Sequence, residues 1–92
     1  MPINILLPIQ DIRMLWSNDY PSMRVGELTR TDYPNRAFVF EGLYNDIHKN
    51  GITTPLRVVN ERLVDGHHRA IIAMEQGLET VPVEYSGYLP LK

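Results

Sequence analysis

Leu63-Val-Asp-Gly-His-His-Arg-Ala70 is the stretch on which the fold of this 92-residue chain turns. A β-prone run ends at Asp65, Gly66 interrupts it, and a helix-prone run begins within two residues. The first backbone N–H groups of a helix have no partner inside the helix, and the helix dipole is positive there. A glycine at that point lets an anion such as phosphate come close. Arg69 adds a two-pronged donor for phosphate or carboxylate oxygens. His67 and His68 can donate hydrogen bonds or move protons near neutral pH, which makes them the candidate catalytic pair. Asp65 has the residue type and position of an N-cap for the helix. Adjacent histidines in one turn rarely converge on one ion, and no further ligands complete a set, so no metal site is assigned.

Working outward, Pro55–Asn60 and Arg62–Asp65 read as two short strands joined by a tight turn at Asn60-Glu61. Downstream, 68–76 reads as a helix with Ala70, Ile71, Ala73 and Met74 as its apolar stripe. Gly77 ends it, and Leu78 folds back on its last turn. Val81–Tyr85 is a last strand, followed by a tail over 86–92. Upstream, Ala37–Asn50 is a helix because Phe40, Leu43, Tyr44 and Ile47 follow the i, i+3, i+4, i+7 pattern. Gly51 supplies its left-handed end, and His48 and Lys49 suit the negative end of its dipole. Met14–Arg36 shows no period and reads as a long irregular loop. Ile3–Arg13 reads as a strand with Pro8 near its edge or end. The class is α/β or α+β: one domain over 1–92, with a small mixed sheet and two main helices. Phe40, Leu43, Ile47, Leu56, Val58, Leu63, Ile71, Met74, Val81 and Val83 are the expected core.

Composition narrows the function classes. The 43% hydrophobic and 22% charged residues are ordinary globular usage. The absence of cysteine removes disulfides, thiolate zinc sites, iron–sulfur clusters and cysteine nucleophiles. A net charge of −2 is not that of a protein that coats nucleic acid. Met1–Gln10 carries no Lys or Arg, so it lacks the cationic start of a secretory signal, and no apolar run approaches a membrane span. The expectation is a soluble cytoplasmic protein with no membrane partner.

Three blocks resemble the ParB/sulfiredoxin superfamily: Gly51-Ile-Thr-Thr-Pro-Leu-Arg-Val58, Leu63-Val-Asp-Gly-His-His-Arg-Ala70 and Gly77-Leu-Glu-Thr-Val-Pro-Val83. They occur in the family's order and at close to its usual spacing, and the match covers about 40–85. The resemblance implies that Gly66, His67, His68 and Arg69 bind nucleotide phosphates, with Thr53 and Thr54 lining the same pocket. The Asp-Gly-His-His-Arg spelling looks most like the branch whose members phosphorylate free serine. It looks less like partition proteins, whose turn usually reads Gly-Glu-Arg-Arg. Sulfiredoxins carry a cysteine where this chain has His67, so sulfinic-acid reduction is excluded.

The leading expectation is therefore a nucleotide- or phosphate-binding domain at Gly66–Arg69, with phosphoryl-transfer or hydrolase activity left open. Its cofactor is unassigned; such chemistry usually needs a nucleotide with Mg²⁺. One alternative is a ParB-like DNA-binding or nuclease protein, with Arg24, Arg30, Arg36 and Arg69 forming a basic face. Another is a phage or mobile-element regulator that contacts a host protein through 14–36, using Trp16, Tyr20 and Tyr33.

Overall fold

The computed structural model describes residues 2–87. The order is β1 (Ile3–Pro8), α1 (Ile9–Met14), β2 (Trp16–Ser17), two 3₁₀ turns (Val25–Glu27 and Arg30–Asp32), α2 (Ala37–Asn50), β3 (Leu56–Val59), β4 (Arg62–Asp65), α3 (His67–Glu75) and β5 (Thr80–Ser86). The five strands form one mixed sheet in the order β1-β5-β3-β4-β2. β5 runs antiparallel to β1 and parallel to β3, β3 and β4 form the antiparallel hairpin, and β2 lies parallel to β4. This is the expected α+β class.

Burial alternates along the strands. Val81, Val83 and Tyr85 of β5, Leu56 and Val58 of β3 and Leu63 of β4 are all buried, pointing to one face. α3 lies on that face. Its small residues Ala70 and Ala73 join the sheet-side cluster, while Ile71 and Ile72 pack with Phe40 and Ile47 of α2. A helix apolar on both sides in this way is a central one, wedged between the sheet and α2. It ends as expected: Gly77 is left-handed (φ 66°), its N–H reaches the Met74 carbonyl at 3.3 Å, and the Leu78 N–H reaches the Ala73 carbonyl at 3.0 Å.

α2 spans the expected residues, but only Phe40 and Ile47 of its stripe are buried. Leu43 is half-buried and Tyr44 is 38% exposed, because α2 covers α3 along a narrow seam and its outer side faces solvent. Met74 is likewise only partly buried.

Two sequence readings need correction. Ile3–Arg13 is not one strand, since the chain enters a helix directly after Pro8. Pro8 keeps an extended backbone (φ −58°, ψ 146°) and forms the N-cap, where its missing N–H is not needed. α1 then places Ile12 at the centre of the core. Met14–Arg36 is a loop, but short elements order it. β2 adds to the edge of the sheet, and Val25 and Leu28 enter the core. The Arg24 N–H donates to Glu27 Oε1 and the Thr29 N–H to Asp32 Oδ2, both at 2.8 Å, closing the two 3₁₀ turns. Arg30 anchors the segment to α3 by a two-pronged bond to Glu75 at 2.8 and 2.7 Å. Most of the expected tail, 88–92, lies outside the described residues. No helix among those described is long and apolar enough to cross a membrane.

Ile12→Ala should destabilise the domain by about 2–5 kcal/mol, the range for emptying a buried site. Phe38, 93% exposed on α2, should tolerate alanine within about 0.5 kcal/mol. Denaturant unfolding of the two variants checks both values.

Candidate functional site

The chain leaves β4 and enters α3 through Gly66, whose φ of 100° and ψ of 24° lie in the left-handed region. A side chain here would be strained, and its Cβ would stand 2.9 Å from Leu56 Cγ. Gly66 is therefore demanded twice over, by conformation and by the packing of β3 under the turn. It also takes the N-cap position, so the expectation that Asp65 caps α3 is wrong. No side chain caps this helix. Asp65 is the last residue of β4, one position too early to reach the first-turn N–H groups, and its carboxylate is 62% exposed, 3.6 Å from Arg69. The first turn of α3 contains no acidic residue, and its first internal bond runs from the Ala70 N–H to the Gly66 carbonyl at 2.9 Å.

The three polar side chains of this turn go in three directions. His67 points inward and is 4% exposed. Its Nε2 is 2.9 Å from Ser17 Oγ in β2, and its Nδ1 faces Asp19 Oδ2 at 3.4 Å. His68 lies between Tyr33 (ring centroids 4.8 Å) and Phe40 (5.0 Å), and its Nε2 is buried without a hydrogen-bond partner. Arg69 reaches back to the loop before β3, donating to the Thr54 carbonyl at 2.6 Å and the Pro55 carbonyl at 3.2 Å. Thr54 thus meets the turn through its backbone, and both Thr53 and Thr54 have exposed side chains.

Burial is the main influence on both histidines and holds each below the ordinary value. For His68 the next cause is the nearby Arg36 cation. The Tyr33 hydroxyl is pushed well above its ordinary range by burial and by its 2.8 Å bond to Asp19. An open cavity of about 460 Å³ adjoins this cluster, lined in part by Arg30, Tyr33, Phe40 and Glu41.

Sequence reasoning missed Ser17, Asp19 and Tyr33 as neighbours of the histidines. Ser17, His67 and Asp19 are connected in the order of a hydrolase triad, but Ser17 is fully buried. Its oxygen already accepts the N–H groups of Asp19 and Tyr20, at 3.1 and 2.9 Å. It therefore has neither the access nor the free lone pair of a nucleophile.

Two solved structures share this architecture. A Pnob8-like ParB-N domain superposes with a TM-score of 0.65 at 17% identity, over 96% of this chain and 31% of that one. A C-terminally truncated chromosome-partitioning protein ParB from Caulobacter crescentus, complexed with CTP-γ-S, superposes with a TM-score of 0.61 at 24% identity, over 96% and 46%. The chain thus spans roughly a third and just under half of these two structures. No family model matches the sequence, and neither does any curated protein. The likeness shows the fold: this is a small domain of ParB-N architecture.

Since Asp65 is no cap, Asp65→Ala should change stability by less than about 1 kcal/mol, the scale of an exposed ion pair. Gly66→Ala should cost at least about 1–2 kcal/mol from the left-handed backbone alone. Thermal unfolding of the two variants side by side separates the outcomes.

Proposed function

We propose that this domain binds a nucleotide, or another phosphate ligand, over the first turn of α3. One observation carries the reading. The turn presents a helix N-terminus with glycine at the N-cap, no capping side chain and no acid, an arrangement that suits an anion. The fold shared with a ParB that was solved with CTP-γ-S supports a nucleotide as the ligand. In this reading Gly66 and His67 act largely through backbone, while Arg69, whose Nη1 braces the Thr54–Pro55 loop, keeps its remaining guanidinium donors for the ligand. His68 is the side chain that borders the ligand, and Thr53 and Thr54 present their exposed hydroxyls from the neighbouring loop.

Phosphoryl transfer or hydrolysis, as in the free-serine-phosphorylating branch, is the finer proposal. Of the two histidines, His68 is the one placed to move a proton, because His67 is bonded inward. Mg²⁺, where it takes part, would be held by the ligand's own phosphates and water.

Titration calorimetry with CTP, ATP, ADP and inorganic phosphate tests the main reading. At least one ligand should release heat, and Arg69→Ala should weaken its binding by about 1.5–3 kcal/mol. Phe38→Ala should leave that binding unchanged. No heat from any ligand, or heat indifferent to Arg69, ends the phosphate reading.

A further inference from the structure

Ser17 and His67 are buried polar side chains, and they bond each other across 50 positions of sequence. The direction of that bond follows from counting. A hydroxyl has two acceptor lone pairs and one proton. Ser17 Oγ accepts the N–H of Asp19 at 3.1 Å and of Tyr20 at 2.9 Å, which fills both lone pairs. Its own proton is left for His67 Nε2, 2.9 Å away. Nε2 is then the bare nitrogen and Nδ1 carries the proton, facing Asp19 Oδ2 at 3.4 Å. A second proton, placed on Nε2, would set two donors against each other. The serine could accept from the imidazolium only by giving up Asp19 or Tyr20.

We infer that His67 is a proton-controlled latch: singly protonated on Nδ1, it pins β2 and the 18–36 segment to the first turn of α3, and doubly protonated it releases them. Tyr33 moves with the latch, because its hydroxyl donates to Asp19 at 2.8 Å while its ring covers His68. Release therefore uncovers His68 and the cavity beside it.

The charged groups around the ring come from three elements. Asp19 on the segment and Asp65 at the end of β4 favour an imidazolium, and His68 on α3 opposes it. Arg62 of β4 donates to the Ser17 carbonyl at 2.9 Å, adding a cation at the same corner. Burial outweighs the carboxylates, so the latched ring titrates below the ordinary 6.5, whereas a released ring returns to it. Because the latched value is the lower one, the latch is at full strength above pH 6.5. It weakens as pH falls below that value, by up to about tenfold in the opening equilibrium per pH unit.

Nuclear magnetic resonance tests this on the intact chain without any ligand, so its outcome is separate from that of the phosphate reading. At pH 7.5 the ring nitrogen shifts of His67 should report a proton on Nδ1. Between pH 7 and 5, amide protection of Asp19 and Tyr20, corrected for intrinsic exchange, should fall relative to Val81 and Val83, by up to about tenfold per pH unit below 6.5. H67Q keeps an acceptor near Ser17 but does not titrate, and should lose this pH dependence, while H68Q should keep it. A proton on Nε2 at pH 7.5, a flat protection profile, or an H67Q profile that follows the wild type would each overturn the latch. The wild-type ring shifts and protection profile decide the matter even where H67Q does not fold.

Discussion

Everything in this small fold hangs on the reversal at Gly66. Leu56 of β3 lies directly under the turn, so the backbone must pass over it with no side chain of its own. That passage sets the angle at which α3 drops between the sheet and α2. Once it is set, Ala70 and Ala73 can lie close to the strands, and Ile71 and Ile72 can fill the opposite side. Interiors are packed to near-crystalline density, so an altered entry angle would be felt along the whole helix.

The same turn gathers residues from distant parts of the chain. Segment 18–36 supplies Asp19 and Tyr33, β2 supplies Ser17, α2 supplies Phe40, and the loop before β3 supplies the carbonyls that hold Arg69. The two adjacent histidines consequently have opposite duties. His67 is spent inside the protein, satisfying a buried hydroxyl that would otherwise lack an acceptor. His68 keeps an unengaged nitrogen between two aromatic rings. Neighbours in sequence need not share a task when one is bonded into the core and the other is held between aromatic rings.

Much of this was legible in the sequence, and the failures have physical reasons. The 3.6-residue period of Phe40, Leu43 and Ile47, closed by Gly51, places α2 to the residue. Alternation in β3, β4 and β5 identifies the sheet-forming segments even though Pro82 sits in an interior strand; its ladder with β3 begins only at Val83. α1 is a single short helix hidden behind a proline that suggests a strand. β2 has two residues, too few to show a period. The 3₁₀ turn at Thr29-Arg-Thr-Asp32 did carry a readable signal, since a threonine followed three residues later by an acid is a capping pattern. Asp65 fails as a cap because helix-start signals locate an N-terminus only to within a residue, and here the glycine takes the position. The pairing of His67 with Ser17 has no local trace at all; tertiary structure alone creates it.

The proline that disguises α1 also shapes how the molecule meets its own kind. β1 is an edge strand, and the Ile9 N–H bonds the Glu79 carbonyl at 2.9 Å. Alternation then turns the backbone of Ile3, Ile5 and Leu7 toward β5 and that of Asn4, Leu6 and Pro8 outward. Pro8 therefore leaves a gap in the row of donors along the free edge. At the opposite edge, β2 is only two residues long. Both margins of the sheet are poor templates for another strand, so a domain with Leu6 66% exposed beside its longer margin is still defended against growing edge to edge into a fibre.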